Sequence, residues 1–201
     1  MKLGLVLVAA VVALASCGDE QSDQGPRPVE RAEEVPKLPA GWKVYENAPQ
    51  GFALGAPPGW RDGADCLGRG AEPGSASVLC SPDRLVTLSI SADRTNEAVA
   101  LDPKEFAART LERLGEEGYS DLKAGKPKEL KAHYDGAFVK GEGKAAETGV
   151  EQNVTVVVLR REGVANLTAV IAANAKQPTE PGVELAEKAL GTLRSRPVGA
   201  G

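Results

Sequence analysis

The sequence is poor in the residues that most catalytic and metal sites require. Among 201 residues there is one histidine, His133, and there are three cysteines. A histidine and cysteine cage for a metal has too few ligands here, and any serine–histidine or cysteine–histidine pair would depend on His133. The Gly-x-Ser-x-Gly motif is absent as well. We therefore predict a non-catalytic protein without a cofactor, in which His133 is a surface or hydrogen-bonded side chain.

Basic charge, aromatic side chains and long hydrophobic runs are also scarce. Lysine and arginine number 24 against 28 acidic residues, which gives a net charge of −4, and only 4% of residues are aromatic. Nucleic-acid-binding domains normally have a strongly basic surface, so this class is excluded. The one long apolar run, residues 3–15, is shorter than the roughly 20 residues that span a bilayer.

The N-terminus carries the pattern of an export signal. Lys2 precedes the apolar run 3–15, as in a secretory signal peptide. The run ends on Leu-Ala-Ser-Cys at 14–17, which resembles the lipobox of bacterial lipoproteins. In that family the cysteine thiol is lipidated and a peptidase cuts just before it, so the resemblance implies a signal peptide 1–16 and a membrane anchor at Cys17. An ordinary secretory signal, or the apolar start of a cytosolic protein, is the alternative.

With Cys17 lipidated, the other two cysteines form an even pair. Export past the reducing cytosol permits a disulfide between Cys66 and Cys80, which would close a loop of about 15 residues. Two buried thiols that never meet are the alternative. A redox-active pair has no Cys-x-x-Cys motif to support it.

The chain is predicted to consist of a tether and one domain. Residues 18–40 contain four prolines, six acidic and three basic residues, and no aromatic side chain. Such a segment buries too little apolar area to fold, so we predict a lipid anchor and disordered tether over 17–40. The globular pattern extends over 41–196, and 197–201 form a flexible tail.

The domain is predicted to be α+β, with a mostly antiparallel sheet covered by two amphipathic helices. Alternation of apolar and polar residues, or short apolar runs, predicts strands at 52–54, 86–91, 134–138, 154–159 and 166–171. Capping residues and a 3.6-residue period predict one helix from Asp102 to Gly118 and another that begins near Thr179. Each helix has a single apolar stripe and should therefore cover the sheet.

A family resemblance supports this architecture. Gly-Phe-Ala-Leu at 51–54, followed by Pro-Pro-Gly-Trp at 57–60, is similar to the opening motif of PsbP-like α/β/α sandwich proteins. Together with the lipobox, the chain resembles the LpqN/LpqT-type actinobacterial lipoproteins over about residues 41–196. The resemblance implies the fold, and an accessory or partner-binding role of the kind most members have.

Basic residues are concentrated in one segment. Residues 123–144 contain three acidic residues and six lysines, which are Lys123, Lys126, Lys128, Lys131, Lys140 and Lys144. They either form a binding patch for an anionic ligand or acidic protein, or protect a strand edge from pairing with another sheet. The aromatic residues among them, Tyr134 and Phe138, are expected to point into the core. Gly141-Glu142-Gly143-Lys144 lacks phosphate-loop spacing and is interpreted as a turn.

These observations predict a membrane-tethered, non-catalytic envelope lipoprotein that binds an envelope protein or an anionic ligand. Its membrane contact would be the lipid on Cys17, and no nucleic acid is expected among its partners. A carrier of a lipid or small hydrophobe, with a cavity beside the sheet, is the alternative. An envelope hydrolase that uses His133 is the least favoured class.

Overall fold

The computed structural model describes residues 34–63, 66, 77–95, 100–131, 134–161 and 165–196. Several predicted features lie outside these residues: the signal peptide 1–16, Cys17, the tether up to residue 33, His133 and the tail 197–201. No helix in the described ranges has the length and apolar character needed to cross a membrane.

The described part of the chain folds into strands and two helices, which confirms the predicted α+β class. The strands are β1 (Lys43–Asn47), β2 (Phe52–Ala56), β3 (Arg61–Asp62), β4 (Ser77–Cys80), β5 (Val86–Asp93), β6 (Tyr119–Ala124), β7 (Lys128–Lys131), β8 (Asp135–Ala145), β9 (Glu151–Arg161), β10 (Ala165–Asn174) and β11 (Arg194–Ser195). The helices are α1 (Pro103–Glu117) and α2 (Glu180–Gly191).

The strands form one large and one small antiparallel sheet. The large sheet has the order β3-β4-β5-β10-β9-β8, and its last edge is shared by two strands. β6 pairs with the C-terminal half of β8 and β7 pairs with the N-terminal half. The small sheet has the order β1-β2-β11. We refer to β6, β7 and the turn between them as the basic edge, since four of the six lysines lie there.

The two helices pack on opposite faces of the large sheet. Successive side chains of a strand point to opposite faces, so β8 and β9 contribute to two separate clusters. On one face, β8 and β9 pack against Ala107 and Leu111 of α1. On the other, β9 and β10 share a cluster with Ala186 and Leu190 of α2. This is the α/β/α sandwich that the sequence predicts.

Helix α1 begins and ends where its capping residues predict. The carboxylate of the N-cap Asp102 accepts a hydrogen bond from the Lys104 backbone N–H at 2.9 Å. The Arg109 guanidinium donates a hydrogen bond from Nη2 to Oε1 of Glu105 at 2.7 Å. At the other end the Gly118 N–H donates to the Leu114 carbonyl at 2.9 Å.

Helix α2 lies to one side of its sheet face. It contacts mainly β2, β5 and β10. A Cβ atom at Gly182 would lie 2.8 Å from Cγ2 of Val86, so only glycine at this position lets the helix approach β5 this closely. Because α2 lies over β5 and β10, it leaves much of the same face of β8 and β9 uncovered.

The prediction of a turn at 141–144 is wrong, because these residues lie inside strand β8. A Cβ at Gly143 would lie 2.9 Å from Cδ1 of Leu122, and one at Gly141 would lie 3.3 Å from Cδ2 of Leu111. The glycines therefore serve close packing of β6 and α1 on this strand. In a sequence, glycines needed for close packing look the same as glycines needed for a turn.

Candidate functional site

A groove runs along α2 on the uncovered part of the large sheet. It consists of two adjoining cavities of about 730 and 350 Å³ that share Lys140 and Thr155. Residues of α2 line one side from Glu180 to Gly191, so the groove is about 18 Å long at 1.5 Å per residue. We call it the α2 groove.

The smaller cavity has an apolar floor. Its apolar lining comes from three strands and α2: Leu130, Phe138, Val157, Leu159 and Leu190. Phe138 is half-buried, and it packs against the core while it also lines the groove. The expectation that Phe138 serves only the core is therefore incomplete. Tyr134 is buried as expected, and its hydroxyl accepts a hydrogen bond from the Ser195 N–H at 3.1 Å.

The two sides of the α2 groove carry opposite charge. Glu180, Glu184 and Glu187 are exposed along α2 at the spacing of one helix face. Across the floor, Lys140 and Glu142 of β8 and Lys123 of β6 line the other side, where Lys123 and Glu142 are register partners, so this side carries a net positive charge. Among the residues that the structure describes, no ion pair within 4.0 Å joins the two sides. Within α2, Lys188 lies 4.0 Å from Glu184, and the charged side chains on both sides of the groove are exposed to a ligand.

The structure places the predicted lysines around this groove. Lys123 pairs with Glu142, Lys128 with Phe138, Lys140 with Thr155 and Lys144 with Glu151. Paired residues in an antiparallel sheet share a face, so these four lysines lie on the groove face, and all four are exposed. Lys126 lies in the turn of the basic edge. The backbone of Lys131, at the end of β7, pairs with Asp135 of β8.

The basic edge also has features that oppose strand addition. The register of β6 shifts between Ser120 and Lys123, and Asp121 has a φ of 55°. The Gly125 N–H turns inward to the Lys140 carbonyl at 2.8 Å. Bulges and lysines are common protections of an edge strand. The lysines therefore suit both interpretations given by the sequence, and the apolar floor beside them is the additional feature that favours binding.

The predicted disulfide between Cys66 and Cys80 is present. The Cα atoms are 5.6 Å apart, which is within the usual range for a disulfide. Cys80 is fully buried in β4, near the opposite edge of the large sheet from the basic edge. The bond therefore stabilises the fold far from the α2 groove.

The described residues offer recognition chemistry at this site. No group of three His, Cys, Asp or Glu side chains in the described ranges could hold a metal ion. Two pKa shifts occur elsewhere in the domain: burial raises the pKa of Tyr119, and hydrogen bonds from Ser81 and Leu85 lower the pKa of Asp83. The α2 groove itself provides apolar surface and fixed charges of both signs.

The fold is the one found in PsbP-like proteins. The solution structure of cyanobacterial PsbP (CyanoP) from Synechocystis superimposes with a TM-score of 0.53 at 15% identity, over 84% of this chain and 99% of that one. The Ran-binding protein Mog1p of Saccharomyces cerevisiae superimposes with a TM-score of 0.52 at 13% identity, over 76% of this chain and 94% of that one. The predicted PsbP-like sandwich is thus confirmed.

A mycobacterial protein is similar at a lower score. LpqN of Mycobacterium tuberculosis, described as involved in cell envelope biogenesis, matches with a TM-score of 0.38 at 12% identity, over 85% of this chain and 88% of that one. No protein-family model matches the sequence, and no curated protein is significantly similar to it.

Proposed function

We propose that the chain is an envelope lipoprotein whose domain, residues 41–196, binds a partner through the α2 groove. The lipid on Cys17 and the tether 17–40 would hold this domain at the outer face of the cell membrane. The domain would act as a non-catalytic accessory module. The observation that carries the proposal is a groove between two charged sides, whose accessible apolar surface comes from the half-buried Leu130 and Phe138, while Val157, Leu159 and Leu190 in the same lining are 4–8% exposed.

The floor is an unusual surface for a domain to leave open. An apolar sheet face is normally buried by a helix or a second sheet. Here Phe138 and Leu130 are half-buried beside exposed lysines. A few apolar side chains ringed by charges are typical of a binding site, since the apolar area contributes affinity and the charges select the partner.

A structure with the same fold is described as binding a protein. Mog1p is a Ran-binding protein, so the sandwich accommodates a protein partner in that case. This supports a binding role for the present domain without indicating which surface is used.

The binding site can be tested by photo-crosslinking in the envelope of the cells that make the protein. A photoreactive benzoyl-phenylalanine would replace Phe138 in the groove or, as the control, Val44, which is 55% exposed on β1. We expect an adduct of defined mass from position 138 and none from position 44. Equal adducts at both positions, or none at either, would contradict the proposal.

Charge reversal tests the lysines in the same assay. The substitutions Lys123→Glu, Lys128→Glu and Lys140→Glu should abolish the adduct at position 138. A matched control reverses Lys37, Lys43 and Lys176, which are exposed and do not line the groove, and so changes the net charge equally. The adduct should persist in that control, because only charges at the groove select the partner.

A carrier of a small hydrophobe is the second candidate, and the 350 Å³ apolar cavity favours it. The crosslinking experiment separates the two candidates. A protein adduct at position 138 indicates the binding module, whereas an adduct with the mass of a lipid indicates the carrier.

The anchor is tested separately. Cys17→Ser should move the exported protein from the detergent phase to the aqueous phase, because the thiol that receives the lipid is gone. A variant that stays in the detergent phase as fully as the wild type would locate the membrane attachment elsewhere.

A further inference from the structure

The uncovered part of the sheet face has the width of one helix. It is formed by β9, β8 and the basic edge, and neighbouring strands lie about 4.8 Å apart, so these three positions span about 10 Å. An α-helix with its side chains is about 10–12 Å wide. The α2 groove is also as long as the 12 residues of α2. A second helix beside α2 would therefore complete the helical layer on this face.

The charges indicate which kind of helix would fit. Glu180, Glu184 and Glu187 would face one flank of the bound helix. Lys140 and Lys123, with Glu142 beside Lys123, would face the other and leave that side with a net positive charge. A ligand that is anionic throughout would gain from the lysines but would be repelled by the three carboxylates. A ligand with a basic flank and an acidic flank satisfies both sides of the groove.

We infer that the α2 groove binds an amphipathic helix of a partner protein, about 12 residues long, with a basic flank, an apolar face and an acidic flank. The apolar face rests on the half-buried Leu130, Phe138 and Val183, and the basic flank lies along α2. The inference rests on the proposed function and specifies the partner's recognition element.

A helix fits this surface better than an added strand. Strand addition needs a straight edge with free backbone groups. The basic edge has a bulge at Asp121, an N–H turned inward at Gly125, and Pro127, which has no N–H. The groove presents side chains, and side chains are what a packed helix contacts.

The inference can be tested with three synthetic 14-residue helices that share one apolar face. One peptide has a lysine flank and a glutamate flank, the second has glutamate on both flanks, and the third has lysine on both. Fluorescence anisotropy would measure their binding to the whole exported chain carrying Cys17→Ser, at low salt. We expect the mixed peptide to bind about tenfold more tightly than either single-sign peptide, because exposed ion pairs contribute little each but several are formed at once.

Charge-swapped proteins control for differences in peptide helicity. Glu184→Lys with Glu187→Lys gives the groove two basic sides, so the all-glutamate peptide should become the tightest ligand. Lys123→Glu with Lys140→Glu should instead favour the all-lysine peptide. Lys37→Glu with Lys43→Glu, outside the groove, should leave the original order unchanged. Unfolding in urea would verify that each variant is folded.

Several results would overturn the inference. They are an absence of binding for all three peptides, preference of the wild type for the all-glutamate peptide, and an order of affinity that does not follow the swaps. Binding that appears only after deletion of residues 18–33 would identify the tether as the occupant, and dimerisation lost on swapping would identify a second copy. A protein adduct at position 138 without peptide binding would leave the proposed function intact and reject the helix.

Discussion

Strands β8 and β9 have one closed face and one open face. On the face covered by α1, Ala137, Val139 and Val156 are at most 1% exposed. On the face beside α2, the alternate residues include the half-buried Phe138 and the exposed Lys140. Val157 and Leu159 on this face are 7% and 4% exposed, so the face is open only in part. The two faces are therefore made from interleaved residues of the same 22 positions, 11 in each strand.

The comparison shows that the position of a helix decides which side of a strand becomes core. Both faces of β8 and β9 carry apolar side chains, and α1 packs directly on both strands, whereas α2 contacts mainly β2, β5 and β10. Helix α2 packs on β5 and β10 instead, with Gly182 against Val86. The open face is thus a consequence of where α2 packs, and it remains available to a ligand.

The largest expected effect comes from truncating a side chain on each face. Leu111→Ala on the closed face should lower the free energy of unfolding by about 2–5 kcal/mol, because it leaves a cavity in a dry core. Phe138→Ala on the open face should cost about 1 kcal/mol, because its ring is already partly exposed. Urea unfolding midpoints would measure both. Equal losses would show that the groove face is as much a part of the core as the α1 face.

A smaller change in the free energy of unfolding is expected when either of two glycines of α2 is replaced by alanine. Gly182→Ala should destabilise the domain by about 1–3 kcal/mol, since the new methyl group meets Val86. Gly191→Ala meets no atom within 4 Å and should be neutral or stabilise the fold by up to about 1 kcal/mol. The two variants together test whether the contact between Gly182 and β5 holds α2 over β5 and β10, away from β8 and β9. Loss of stability in the Gly191 variant, with none in the Gly182 variant, would contradict this explanation.

The smallest expected effect is a loss of stability at alkaline pH, and it comes from Tyr119 on the closed face. Tyr119 packs against the α1 cluster, and burial raises the pKa of its hydroxyl above 10.0. The folded state therefore holds this proton more tightly than the unfolded state. The resulting stability is fully present below pH 10 and is lost as pH rises through the raised pKa.

Tyr119→Phe removes the titrating group, so its stability should fall less between about pH 10 and 12 than that of the wild type. The variant also lacks the 2.7 Å hydrogen bond that the Tyr119 hydroxyl donates to Gln152, which lowers its stability at neutral pH. The wild type loses the same bond when the hydroxyl ionises, so the bond adds to the alkaline slope of the wild type. Urea unfolding at a series of pH values is the measurement. Parallel alkaline slopes would show that Tyr119 is not desolvated in solution.

Local patterns predicted much of the fold. The alternation of Val86, Leu88 and Ile90 with polar residues identified β5, and the N-cap Asp102 placed the start of α1 correctly. The cysteine pair predicted the disulfide, and the short motif around Phe52 indicated the sandwich. Each of these features depends on residues close together in sequence.

The groove could not be predicted in the same way. Strands β6 and β7 are rich in charged residues and have no alternating apolar pattern. They are strands because they pair with β8 in the folded domain. Alternation can assign Phe138 to a face, but it cannot show whether a helix covers that face. The lysines were recognised as a cluster, whereas the opposing carboxylates of α2 come from a segment about 40 to 60 residues further along the chain.

The way in which the chain joins the domain has a mechanical consequence. Leu38 lies over Gly55, and the chain then enters β1, which pairs only with β2 at the edge of the small sheet. Tension applied through the preceding residues would load the Lys43–Ala56 pair first and then open β1 from β2 one pair at a time, towards Asn47 and Phe52. Bonds loaded in succession yield at low force. β1 would therefore detach from β2 under load, while the large sheet and the α2 groove keep their shape.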